Sequence, residues 1–169
     1  MTIIQTARLR LRRPREDDLE AFFAIMSDPR AMRYWSTLPH ASLDVTREWL
    51  ARKIERTTAG GEDFCIEFEG RLIGEVGAGR LPDFGFMLHP DFWGQGLATE
   101  ASRACIAHIF AAHDVPALKA DVDPRNVASL AVLKNLGFVV TGTAKDTFLL
   151  GDEWCDSVYL ERERPRGDP

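Results

Sequence analysis

Leu9 and Leu11 alternate with Arg8, Arg10 and Arg12 in "ARLRLRRP", and this period of two predicts a strand with one apolar and one wet face. After Pro14 the period lengthens. Leu19, Phe22, Phe23 and Met26 recur at helical spacing behind Asp17 and Asp18, whose carboxylates suit a helix start, and "SDPR" closes the run. An aromatic-bearing loop, "AMRYWSTLPHAS", comes next. Ser42 then caps a second predicted helix in which Val45 pairs with Trp49 and Leu50 with Ile54, until "TTAGG" stops it.

Alternation returns in "DFCIEFEGRLIGEVGAGRL", two strand-like runs around Glu69 and Gly70, and "FGFMLH" adds another after the "LPD" break. The three form an antiparallel meander. Thr99 to His113 reads as a helix burying Ala101, Cys105, Ile106, Ile109 and Phe110. "ALKADV" is a strand, and "DPRN" leads into a helix that ends at Gly137, where glycine takes the left-handed cap. "FVVTG", "DTFLL" and "WCDSVYLE" complete the sheet, with Gly151 and Asp152 in a hairpin turn. The order predicts an α/β (α+β) domain over residues 1–169, with a mixed, mostly antiparallel sheet of six to seven strands and helices on both faces. The polar tail, 162–169, is expected to fray.

Composition narrows the function. In 169 residues, 45% apolar content supports a full core. A net charge of −5, with no basic block beyond Arg12 and Arg13, offers little to nucleic acid. No apolar run is long enough for a bilayer, and Arg8 interrupts the start before any signal-like segment, so the expectation is a soluble, cytoplasmic protein. Cys65, Cys105 and Cys155 are far apart and odd in number, which favours buried thiols over disulfides. His108 and His113 are five apart and miss the shared helical face of H-x-x-x-H, so no metal is expected.

Chemistry concentrates in "HPDFWGQGLATEA". Gly94 and Gly96 permit a tight turn that brings successive N–H groups close to a ligand, and the following helix adds free amides and a positive dipole end. An anion suits that place. Between Pro90 and Glu100 there is no lysine or arginine, so the donors would be backbone, which suits the pyrophosphate of a nucleotide-bearing cofactor. The plain alternative is a glycine connection with no ligand. Thr99 stands where a Rossmann fingerprint needs its third glycine, and the Gly-Lys-Ser/Thr of a Walker loop is missing.

"FGFMLHPDFWGQGLATEA" followed by "DVDPRNVASLAVLKNLGF" resembles the GNAT superfamily of N-acetyltransferases. "TARLRLRRPREDDLEAFFAIMSDPRAMRYW" and "GDEWCDSVYLE" are similar to the two ends of its bacterial ribosomal-protein (alanine/serine) N-terminal acetyltransferase branch, so the likeness covers nearly the whole chain. The resemblance implies a sheet splayed between strands 4 and 5, "FGFMLH" and "ALKADV". It implies acetyl-CoA as co-substrate, with its pyrophosphate on Gly94, Gln95, Gly96, Leu97, Ala98 and Thr99 and its arm paired along Phe86, Met87 and Leu88. The motif ordinarily opens with Arg or Gln, whereas Trp93 stands here, either as a mark of the branch or as a core residue.

The superfamily often donates the thiolate's proton from a tyrosine where this chain has Leu133. Asn126, Ser129 and Leu133 share a helical face by spacing, which makes Ser129 the nearest hydroxyl. In the branch resembled, a serine there meets the CoA sulfur and an asparagine at Asn126 binds the arm. Asn126 also suits a helix cap, and Ser129 a solvated hydroxyl. Candidate bases are Glu75, Asp83 and Asp121, each equally a paired or solvated strand carboxylate. Tyr34 and Trp35 border the expected acceptor pocket as lid or as core. The implied reaction is direct acetyl transfer to a primary amine, on a small molecule or a protein N-terminus, with a homodimer allowed. A longer acyl-CoA and a non-catalytic CoA-binding module are the alternatives.

Overall fold

Tight turns decide which strands become neighbours. Glu69 and Gly70 have φ of 50° and 76°, a backbone that matches strand twist, so β3 (Glu62–Phe68) folds straight back onto β4 (Arg71–Arg80). Gly151 and Asp152 do the same for β7 (Val139–Leu150) and β8 (Glu153–Glu163). The computed structural model describes residues 2–166. Around these hairpins stand β1 (Ile3–Gln5), β2 (Leu9–Arg12), β5 (Asp83–Leu88) and β6 (Ala117–Val122), in the sheet order β1-β2-β3-β4-β5-β6-β8-β7.

Neighbours are antiparallel except β5 and β6, which run parallel and pair at one register position, Asp83 with Lys119. The Lys119 N–H donates to the Pro82 carbonyl at 2.9 Å, and beyond that point the two strands carry no pairing. A V-shaped opening results, closed near Asp83 and wide near Leu88.

The helices α1 (Leu19–Met26) and α2 (Leu43–Thr58) cover one face, burying Phe22, Met26 and Leu50 against Cys65 and Met87. On the other face α3 (Leu97–Ala112) and α4 (Val127–Asn135) close the larger core, in which Ile106, Ile109, Leu118 and Phe138 are fully or almost fully enclosed. Ser42 caps α2 as expected, its hydroxyl accepting the Val45 N–H. Gly137 takes a positive φ of 88° past the end of α4. No described helix is long and apolar enough to cross a membrane.

Several expectations need correction. The sheet has eight strands because β1 pairs with β2, although Ile3, Ile4 and Gln5 are too few to show a period. "FVVTG" and "DTFLL" belong to one strand, β7, broken by two register shifts, with Asp146 at φ 50° beside the second. Arg12 is not on a wet face: it lies buried, bonded to both oxygens of Asp18 at 2.8 and 2.6 Å and to Glu67 at 2.6 Å. Asp18 therefore makes no cap bond to α1; it serves Arg12 and the Arg15 amide. Burial opposes its charge, yet those donors hold it below the ordinary carboxylate range. Val45 points to solvent, so α2 packs through Trp49 and Leu50.

The tail is docked as far as Arg164, whose N–H donates to the Pro116 carbonyl at 2.8 Å and whose guanidinium holds the carbonyls of Val115 and His113. Residues 167–169 lie outside the described part. His113 leaves α3 in extended conformation, and its ring and that of His108 converge on one carboxylate: the Nε2 of His113 stands 2.6 Å from Glu62 Oε1 and that of His108 3.2 Å from Oε2.

Candidate active site

At the wide end of the V, Gly94 and Gly96 have φ of 72° and 74°, the left-handed region that L side chains rarely adopt. Gly96 is the N-cap of α3 and brings no side chain to its first turn. The first amides of α3 thus have neither an intrahelical acceptor nor a cap. A Cβ placed on Gly94 would meet no protein atom within 4 Å, so open space, not packing, lies over that residue. These residues suit a phosphate-bearing ligand. The expectation of a turn without cations needs amending: Arg8 reaches across from the β1–β2 connection and donates from Nη1 to the Gln95 carbonyl at 3.0 Å.

Back along β5, Phe86 and Leu88 pack into the larger core and Met87 into the α1–α2 side. Their side chains are thereby committed, and what remains for a ligand is the backbone edge facing the opening. Trp93 is half-exposed and not a core residue; its indole N–H donates to the Leu88 carbonyl at 3.0 Å.

Across the opening, Asn126 caps α4, its Oδ1 accepting the Ser129 N–H at 3.2 Å. Ser129 is half-buried, while Leu133, one turn on, is enclosed in the core. The face shared by these residues therefore runs from the rim into the interior. Sequence reasoning missed Asp123 and Arg125, which flank Pro124. Arg125 grips Asp123 from Nε at 2.9 Å and Nη2 at 2.6 Å, also pairs with Glu153 of β8, and lies over the Tyr34 ring. The Arg125 hydrogen bonds keep the buried Asp123 carboxylate below its ordinary pKa. Arg33 meets Glu153 at 3.4 Å, so the 33–34 loop, "DPRN" and the β7–β8 hairpin are tied together. Opposite charges at i and i+2 around a proline were the one available signal.

Two cavities meet at the closed end, sharing Asp83 and Gly85. One, about 360 Å³, is walled by Trp35, Lys53, Asp63 and Glu75; the other, about 690 Å³, by Lys119, Asp121, Thr141 and Tyr159. Glu75 lies inside an ion triad, with Lys53 Nζ 2.8 Å from its Oε2 and 2.9 Å from Asp63 Oδ1. Beyond that ion pair, Oε2 gains no other partner among the described residues. Burial opposes the charge of Lys53, but Glu75 and Asp63 together raise its pKa above the ordinary value. Asp83 and Asp121 are exposed. Tyr34 lies beneath Arg33 and Arg125, and Trp35 packs with Met26 and Met32 as it lines the smaller cavity. Burial pushes the Cys65 and Cys105 thiols up, away from nucleophilic use.

Comparison with known proteins supplies the relationship. YkkB of Bacillus subtilis is 28% identical over 85% of this chain and 89% of its own length. The spermidine N(1)-acetyltransferase of Escherichia coli is 22% identical over 90% of this chain and 84% of its own. Among solved structures, RimL, the ribosomal L7/L12 alpha-N-protein acetyltransferase in complex with coenzyme A, superposes with a TM-score of 0.84 at 22% identity, covering 96% of this chain and 98% of that one. At such identity the likeness speaks for the fold alone. The match to the acetyltransferase (GNAT) domain runs over residues 8–139, from the arginine that braces the glycine turn to the start of β7, and by it the chain belongs to the GNAT family.

Proposed function

We propose that the protein transfers an acetyl group from acetyl-CoA directly to a primary amine. The observation that carries this reading is the parting of two parallel strands after Asp83 and Lys119, with the glycine turn at its wide end. Acetyl-CoA supplies an activated thioester. The amides from Gly94 to Thr99 bind its pyrophosphate, and the edge of Phe86, Met87 and Leu88 takes its arm with Asn126 opposite. From Leu88 back to Asp83 the strand spans about 17 Å. The reactive end therefore lies toward the closed end, where the two cavities provide room for the acceptor.

Amine attack needs a neutral nitrogen. Of the three candidate bases, Asp83 and Asp121 are exposed and free to take that proton, directly or through water, whereas Glu75 is engaged by Lys53. Ser129 donates its hydroxyl toward the departing sulfur. Positioning supplies much of the remaining acceleration. Tyr34 and Trp35 border the acceptor, and the place of work is the cytoplasm. Screening a panel of polyamines, amino acids and N-terminal peptides for free CoA release tests the reading. Turnover of at least one amine is expected. CoA binding with no turnover would favour a non-catalytic CoA-binding module, and absence of CoA binding would overturn both.

A further inference from the structure

We propose that Arg8 is a positioning residue for the cofactor, holding the pyrophosphate turn in its binding shape and cancelling the charge of Glu100 beside it; this rests on the acetyl-CoA reading above. Glu100 stands in the first turn of α3, where an anion belongs. An uncompensated carboxylate there would repel the phosphates. Instead its Oε1 accepts the Thr6 hydroxyl at 2.6 Å and the Arg8 N–H at 2.9 Å, and its Oε2 accepts Arg8 Nε at 2.7 Å. Burial works against the charge, yet these donors hold its pKa below the ordinary value, so Glu100 remains an anion.

The same guanidinium reaches the turn itself. Nη1 donates to the Gln95 carbonyl at 3.0 Å, and Nη2 lies 3.7 Å from where a Gly96 Cβ would stand. Two consequences follow from elementary electrostatics. Donation to the Gln95 carbonyl polarises the peptide whose N–H belongs to Gly96, strengthening that donor. Bridging Gln95 and Glu100 also fixes a turn that contains two left-handed glycines, which reduces the ordering cost of binding. Thr6 completes the brace, its Oγ1 also accepting the Leu9 N–H at 2.9 Å, so the β1–β2 connection is anchored to the first turn of α3.

Calorimetry with CoA on the full chain tests this. Arg8→Ala should weaken CoA binding about 10- to 100-fold, the range of a lost charge-assisted contact beside an exposed like charge. Glu100→Gln alone should change it by only a few-fold, and the double variant Arg8→Ala with Glu100→Gln should recover part of the loss. Arg8→Lys keeps the charge but cannot span Gln95 and Glu100, and should fall between wild type and Arg8→Ala. For a phosphate-free thioester, S-acetylpantetheine, KM should not move in any variant. Wild-type CoA affinity in both Arg8→Lys and Arg8→Ala would overturn the inference, as would an equal loss toward S-acetylpantetheine. Failure of the wild type to bind CoA would instead strike the acetyl-CoA reading itself.

Discussion

At the wide end of the cleft six consecutive residues, Gly94 to Thr99, offer backbone N–H groups, whereas the closed end is walled by side chains of Trp35, Lys53, Asp63, Glu75, Asp83 and Tyr159, drawn from most of the chain. The first is a local object. Its shape follows from two glycines and a helix start, with Arg8 as its one long-range brace. The second exists only when the sheet has assembled, and its chemistry can change by one substitution in any of several elements. On the proposed reading, the cofactor's phosphates fall to the local end and the acceptor to the assembled one.

The sharpest way to break the comparison is at the closed end. Lys53→Ala would leave Asp63 and Glu75 facing each other in a buried site, and a loss of about 3–5 kcal/mol in denaturant unfolding is expected. CoA affinity of the folded fraction should nevertheless stay within about two-fold, because Lys53 touches only the α2 side of the sheet. A large affinity change would mean the two ends are not separate. Gly96→Val is the reciprocal experiment. Its φ of 74° strains a β-branched residue by about 1–2 kcal/mol, and the added methyls enter the space over the turn, so CoA affinity should fall by about 100-fold or more. Unchanged affinity in a folded variant would remove the turn from the cofactor site.

Ser129→Ala lies between the two ends. Turnover should fall by about 10-fold, less than a dedicated general acid supplies because water can replace a hydroxyl, while the Kd for CoA barely moves. Equal kcat would take Ser129 out of the reaction. Leu133→Tyr, which would supply the superfamily's more common acid, is expected to overpack the core instead, since Leu133 is 2% exposed.

The smallest effect is general to both ends. Asp18, Glu62, Glu67, Glu100 and Asp123 are all held below ordinary carboxylate values by arginine, hydroxyl, amide or imidazole partners. A carboxylate with a depressed folded pKa adds stability that is present above its unfolded pKa, about 4, and is lost as pH falls through the folded value. Thermal midpoints should therefore decline as pH falls below about 4. A midpoint that rises on acidification would contradict the assigned pairs.

Legibility in the sequence followed the same division. The hairpin at Glu69 and Gly70, the cap at Ser42, the left-handed Gly137 and the glycine turn are short-range devices, and each was readable from a few adjacent residues. Arg12 and Lys53 were not. Both sit in patterns that assign them to solvent, and both are buried because carboxylates distant in sequence, Glu67 for one and Asp63 with Glu75 for the other, arrive to meet them. Arg8 shows the limit most plainly: the stretch around the turn holds no cation, yet the fold delivers one from 87 residues away.

Trp93, half-exposed with its indole nitrogen on the Leu88 carbonyl, gives the molecule an optical reporter. Trp93 is bonded to the last residue of β5 and directly precedes Gly94, so a molecule laid along β5 and the glycine turn should change the ring's solvation or its hydrogen bond. Of the four tryptophans, Trp35 and Trp49 are packed among other side chains and Trp154 lies on the β7–β8 hairpin, not on β5 or the glycine turn. Emission should therefore shift on cofactor addition in the wild type and stay fixed in Trp93→Phe, which lets cofactor occupancy be followed by fluorescence before any acceptor is known.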